Sequence, residues 1–283
     1  MGRRDSRSVL GTLAVVLATA VLTACGDAPD GIDAACRDGA TSAGAPGDAE
    51  IVLAFGAGVD RLTPGVGAGV LLVYADGAVA TTLPAEDLAT AHVSMIAPGF
   101  HGEQPGSYVA GTLSGCALAA ALERADDLFA EPPSFGMPVT DATGTMISYR
   151  VDGQPVVAGI DMFDPDDPDE WRGSISPQEQ RNRDAAAELW HLLVGAVRLT
   201  GDLPVDRLEL DSPFGTIGAD ELDWSLPSLP ELLSEGGCAE ITGADVATVL
   251  DALAAGGGEL LDSEPWRLSA RTLPPGMPAC GGR

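Results

Sequence analysis

The first 25 residues constrain this chain most, because they decide the compartment in which the rest must fold. Arg3, Arg4 and Arg7 give a positive start, and an apolar run from Val9 to Val21 follows. The run carries Gly11, Thr12 and Thr19 and falls short of the ~20 residues that span a bilayer as a helix, so it reads as the core of an export signal. An exported chain folds where thiols oxidise. Of the five cysteines, Cys25 closes the signal, and Cys36, Cys116, Cys238 and Cys280 remain. Three pairings of those four are possible. Cys36–Cys116 and Cys238–Cys280 keep each bridge within one half of the chain and are the expected pairs. In the loop-entropy model each contributes about 4 kcal/mol. None of the four stands in a Cys-x-x-Cys spacing, which argues against a zinc site built from them.

Leu22-Thr23-Ala24-Cys25 matches the lipobox of bacterial lipoprotein processing. Small side chains at Thr23 and Ala24 suit a peptidase cleft, and the Cys25 thiol is the group to be acylated. Residues 1–24 are then the signal peptide, and Cys25 is the lipidated N-terminus of the mature chain. Residues 26–49 hold Gly, Ala, Asp, Pro, Ser and Thr with almost no large apolar side chain. They read as a flexible tether reaching about 27 Å. Residues 50–283 form the exported domain, which a boundary near 135 would divide into two subdomains.

The chain carries a net charge of −27. Loss of residues 1–24 removes three arginines and one aspartate, leaving 12 basic and 41 acidic residues and a net charge of −29. There is no lysine. Such a chain is a poor ligand for nucleic acid, whose phosphates need cationic partners. Anionic headgroups also repel it, so acyl chains on Cys25, rather than surface charge, would hold it at a bilayer.

Within the exported domain, Glu50 to Phe55 reads as a strand. Ala68 to Thr82 reads as a hairpin turning at Asp76-Gly77, and Thr145 to Ile160 as a second one turning at Asp152-Gly153. Ser114 caps a helix with Leu118, Leu122, Ala125 and Phe129 at helical spacing. Ser176-Pro177-Gln178-Glu179 is a capping box opening the longest helix, with Trp190, Leu193, Val194 and Val197 on one face and Gly201 and Pro204 ending it. Val205 to Leu210 alternates like a strand. A last helix starts at Thr242 and presents Val246, Val249, Leu250 and Leu253, and Trp266 to Leu273 is a closing strand. This order predicts an α+β fold: mainly antiparallel β-hairpins packed with about three helices and stabilised by disulfides.

Several of these segments together resemble a group of uncharacterised secreted lipoproteins of actinobacteria. They are Leu72-Val73-Tyr74-Ala75-Asp76-Gly77, Val139-Thr140-Asp141-Ala142-Thr143-Gly144-Thr145, Ser176-Pro177-Gln178-Glu179-Gln180, Pro204-Val205, and the pair Cys238 and Cys280. The resemblance covers most of residues 50–280. It implies export and anchoring, and brings no activity, substrate or catalytic residue. Asp161 to Glu170 is more acidic than that pattern.

Chemistry is sparsely signalled. Gly111-Thr112-Leu113-Ser114-Gly115 resembles a nucleophile elbow only loosely, with the wrong spacing and no evident strand before it. Ser114 reads better as a cap. His92 and His101 flank a Pro98-Gly99 loop near Glu103, and His191 sits beside Trp190 on a helix flank. No P-loop, His-Glu-x-x-His or dinucleotide fingerprint is present. Asp161, Asp164, Asp166, Asp167, Asp169 and Glu170 form the candidate cation loop, calcium being the ion that takes six to eight oxygens. Their spacing is not that of an EF-hand, and a solvated acidic turn is the plainer account of them. No cofactor is otherwise expected. The reading is a lipid-anchored protein on the outer face of the cell membrane, its partner the bilayer, and its exported domain a non-catalytic binding or scaffold module. The alternatives are a secreted hydrolase with a scattered site, or a solute-binding lipoprotein, for which the alternating βαβ pattern is missing.

Overall fold

The computed structural model describes residues 46–47, 49–58, 69–82, 108–136, 144–167, 169, 172–211, 226–227, 229–233, 237–255 and 269–282. The fold is α+β, built on two antiparallel sheets. The larger has seven strands: β1 (Ile51–Gly58), β2 (Gly69–Tyr74), β3 (Ala78–Thr81), β4 (Val109–Thr112), β5 (Gly144–Val151), β6 (Gln154–Asp161) and β7 (Arg198–Asp202). Their spatial order is β6-β5-β1-β2-β3-β4-β7. Residues on both sides of position 135 build this sheet, since β5 pairs with β1. The smaller sheet holds β8 (Arg207–Asp211), β9 (Cys238–Thr242) and β10 (Ser269–Thr272) in the order β10-β8-β9.

Both Asp-Gly hairpins form where their sequence places them. At β2–β3, Gly77 has φ +86°, which strains any L side chain, and a Cβ there would crowd the Leu113 carbonyl oxygen at 3.1 Å. At β5–β6, Asp152 (φ 51°) and Gly153 (φ 77°) both take left-handed conformations, as a two-residue type I′ turn requires.

Helices α1 (Gly115–Phe129) and α2 (Pro177–Ala196) cover one face of the large sheet. Leu53, Phe55, Leu71, Val73, Val79, Ile147 and Ile160 meet them from the strands. Phe55 packs edge-on against Trp190 of α2 at 5.3 Å between ring centroids. In α1 the buried stripe is Ala117, Ala121, Ala125, Leu128 and Phe129, while Leu118 and Leu122 are half-buried. Alanine wins the central positions because α1 and α2 pack against each other as well as on the sheet.

Several elements differ from the sequence reading. Helix α2 keeps its predicted capping box, with Glu179 N–H donating to Ser176 Oγ and Ser176 N–H to Glu179 Oε2. It stops at Val197, before Gly201, and β7 begins at once. Gly201 lies within that strand (φ +147°), beside a register shift against β4. Strands β4 and β9 are further additions, and the last helix, α4 (Ala244–Ala255), begins after Thr242, which ends β9. A one-turn helix, α3 (Leu229–Leu232), precedes β9. Among the described residues, no helix is long and apolar enough to cross a membrane.

The other face of the large sheet carries Ala54, Leu72, Tyr74, Ala78, Ala80, Tyr108 and Ala110. Leu273 and Met277 of the C-terminal tail pack onto it. Arg207, at the start of β8, donates to the carbonyl oxygens of Pro274 (3.3 Å) and Met277 (3.1 Å), and the Tyr74 hydroxyl donates to that of Pro275 (2.8 Å). The tail is thus a strap that fixes the small sheet to the large one. Cys280 closes it through a disulfide to Cys238, with Cα atoms 5.6 Å apart. Cys116, in the first turn of α1, is also disulfide-bonded. Its expected partner, Cys36, lies outside the described residues, as do Cys25 and residues 26–45 of the expected tether, whose far end is packed instead: Pro46 is buried and Ala49 lies against the cluster of Tyr74 and Met277.

Candidate functional site

The acidic turn after β6 is the sequence candidate that the structure describes most fully. Asp161 ends β6 and is buried. Met162 takes φ 47° and swings the chain away from the sheet, and Phe163 anchors the turn in the core beneath α1 and α2. Beyond that anchor the carboxylates find partners on their own turn and on α2. Asp164 accepts from the Asp166 backbone N–H (2.9 Å). The Asp166 carboxylate stands 3.0 Å from His191 Nε2. Asp169 accepts from the Arg172 guanidinium and from Gln180 Nε2, and Gln180 Nε2 also donates to Asp184 (2.8 Å). Among the described residues, no three carboxylates of this turn gather at ligand distance. The group that does gather is Glu209 with Cys238 and Cys280, whose sulfurs form the disulfide. The turn therefore presents hydrogen-bonded carboxylates facing solvent and α2, not a preformed oxygen cage. Glu170 and Trp171 lie outside the described residues.

Behind the turn sits a residue the sequence reading passed over. Arg183 of α2 is buried, at 4% exposure, and donates to the carbonyl oxygens of Phe135 (2.7 Å) and Asp161 (2.9 Å). One planar guanidinium thereby clamps the end of β6 to the segment that leaves α1. Asn182 reinforces that segment by donating to the Ser134 carbonyl (2.8 Å), and Ser134 Oγ donates to Glu179 Oε1 (3.0 Å). Hydrogen bonds from the Ser176 backbone N–H first, then from the Ser176 and Ser134 side chains, hold the Glu179 carboxyl below the usual carboxylate range. A signal for Arg183 was present. It occupies the buried stripe 183, 186, 190, 193 of α2, where the helical pattern calls for an apolar side chain.

No family model, curated protein or solved structure matches this chain. Ser114 follows strand β4, so a strand–turn–helix does surround it, contrary to the expectation from sequence. Its backbone is ordinary extended structure (φ −65°), and its Oγ accepts from the Ala117 N–H (3.1 Å). That is the geometry of a helix cap; an elbow would project the oxygen from a strained turn. His191, expected on a helix flank, is on that flank and pairs with Asp166. His92, His101 and Glu103 lie outside the described residues.

A second polar feature joins β5 to α1. The Tyr149 hydroxyl donates to Asp126 Oδ1 (2.6 Å), and the ring packs tilted against Phe129 at 5.6 Å. Burial, followed by the Asp126 hydrogen bond, pushes the phenol up to about 12. Burial likewise raises Tyr74 above the usual range. Both phenols are donors tying elements together, so each is kept in its neutral form.

Proposed function

We propose that this chain is a membrane-anchored envelope lipoprotein whose exported α+β domain serves as a non-catalytic binding or scaffold module. The observation that carries this reading is the order of charge, apolar run and Leu22-Thr23-Ala24-Cys25 at the N-terminus. Two acyl chains give stable anchoring where a single one is marginal, and a mature chain of net charge −29 gains nothing from anionic headgroups. The resemblance to secreted actinobacterial lipoproteins belongs to the same proposal. Ser114 and His191, two side chains that a hydrolase reading would use, serve as a helix cap and as the partner of Asp166.

The test is metabolic labelling with an alkyne-bearing fatty acid, followed by fractionation. The wild-type chain takes up label and sediments with membranes. The Cys25→Ser chain loses both. Retention of label in that variant, or a soluble wild-type chain, overturns the proposal.

A further inference from the structure

We propose that the outer edge of β6 is a docking strand for an extended, basic segment of a partner protein. This deepens, and rests on, the binding-module reading above.

The two edges of the large sheet differ. The β7 edge is five residues long, with charged Arg198 and Asp202 at its ends and Gly201 within it, devices that discourage further pairing. The β6 edge is eight residues long, and among the described residues its one strand neighbour is β5. The register identifies which of its backbone groups face out. A two-residue type I′ turn makes Val151↔Gln154 a hydrogen-bonded pair, and the pairs then alternate along the hairpin. Residues 155, 157, 159 and 161 therefore direct their N–H and C=O away from β5. Pro155 agrees with this phase, because it has no N–H and sits where none is needed. Arg183 takes the Asp161 carbonyl. Among the described residues, the pattern leaves the N–H groups of Val157 and Gly159 and the carbonyls of Pro155, Val157 and Gly159 for an incoming strand.

The side chains agree with the backbone. Pro155, Val157 and Gly159 are exposed. Val157 and Met162, each 37% exposed, are the exposed large hydrophobic residues among those described; Val157 lies on this edge, and Met162 is the first residue beyond it. Val157 offers an apolar contact at one alternate position of a guest strand.

Charge selects the occupant. Immediately beyond the edge come Asp164, Asp166 and Asp167, and a second copy would bring a further net charge of −27, which opposes edge-to-edge self-pairing. A guest running antiparallel to β6 places its N-terminal flank beside these aspartates, so the matching segment carries arginine or lysine there, followed by alternating β-branched residues.

The probe is a short fluorescent peptide, an arginine pair followed by alternating valine and threonine, titrated by polarisation onto the full chain in detergent. Saturable binding that weakens as salt rises is expected. Val157→Pro removes an outward N–H and leaves the β5 ladder whole; it should weaken binding about tenfold, the effect of roughly one backbone hydrogen bond with its shape match. Replacing the arginines by glutamates should do at least as much. N-methylation of alternate peptide amides keeps the test independent of the variant's folding. Methyl groups in the phase that faces β6 should abolish binding, and those in the opposite phase should not. No saturable binding at millimolar peptide, or indifference to the methylation phase, overturns the proposal. So does a wild-type dimer by light scattering that Val157→Pro dissociates, which would make a second copy the occupant. The Cys25→Ser chain should bind peptide normally, so failure here is separable from failure of the anchoring proposal.

Discussion

The seven-stranded sheet buries Phe55, Trp190, Ile147 and the alanine stripe of α1 in one continuous core. The three-stranded sheet gathers Leu208, Leu210, Leu233, Ile241, Val246 and Val249, and adds what the larger sheet does without at its centre. Its strands are crossed by ion pairs, Arg207 with Glu240 and Arg271 with the buried carboxylate of Glu209. Glu209 also accepts from the Cys280 backbone N–H, and Cys280 is bridged to Cys238. The large core carries its covalent and polar links, the Cys116 disulfide and the Arg183 clamp, on the helices that cover it. A small one gains less from burial and is stapled by such links at its strands.

That contrast can be broken at its strongest point first. Trp190→Ala removes the largest side chain of the main core and should cost up to about 5 kcal/mol. Denaturant unfolding would show a lowered midpoint for the whole domain; a loss under about 1 kcal/mol would mean that the core is not continuous. Cys280→Ser comes next. Releasing a loop closed across 42 residues should cost about 4 kcal/mol in the entropy model, and the loss should concentrate in hydrogen-exchange protection of β8 to β10, sparing β1, β2 and β5. Uniform loss of protection would show that the strap governs both sheets together. Glu209→Gln should cost roughly 2 kcal/mol by leaving the Arg271 guanidinium without its charged partner. Ser176→Ala, at the cap of α2, should cost about 1 kcal/mol, read from the same unfolding curve.

A further effect is one of pH. Tyr149 has its folded pKa raised to about 12 from an ordinary value of 10.0. Its contribution is therefore fully present below pH 10 and is lost as pH rises from 10 through about 12. Tyr149→Phe should flatten the fall in melting temperature across that window relative to wild type. Equal slopes would show that the Asp126 hydrogen bond does not discriminate between the protonation states.

Much of the fold was legible in the sequence. Both Asp-Gly hairpins, the Ser114 cap, the Ser176–Glu179 capping box and the Cys238–Cys280 bridge are where the residues place them. Strands β4, β7 and β9 were not, for a common reason. They are four or five residues long, too short for an alternating pattern to stand out, and β7 continues a helical stretch without a break in composition. Their pairing partners decide them: Val109 faces Asp202, and Cys238 faces Asp211. The acidic turn was legible as a cluster. Its geometry was not, because His191 and Gln180 reach it from 25 and 11 residues further along the chain.

By itself, then, the sequence determined the features made of neighbouring residues. These are the turns that demand glycine, the helix caps and the apolar stripes, all set by hydrogen bonds and backbone preferences that close within a few positions. Tertiary structure alone decided the strand order, the role of Arg183 as a clamp between β6 and the end of α1, and the strap that joins the sheets. Each depends on groups tens of residues apart meeting in a water-poor interior, where a buried guanidinium or carbonyl must find whichever partner the packing brings to it.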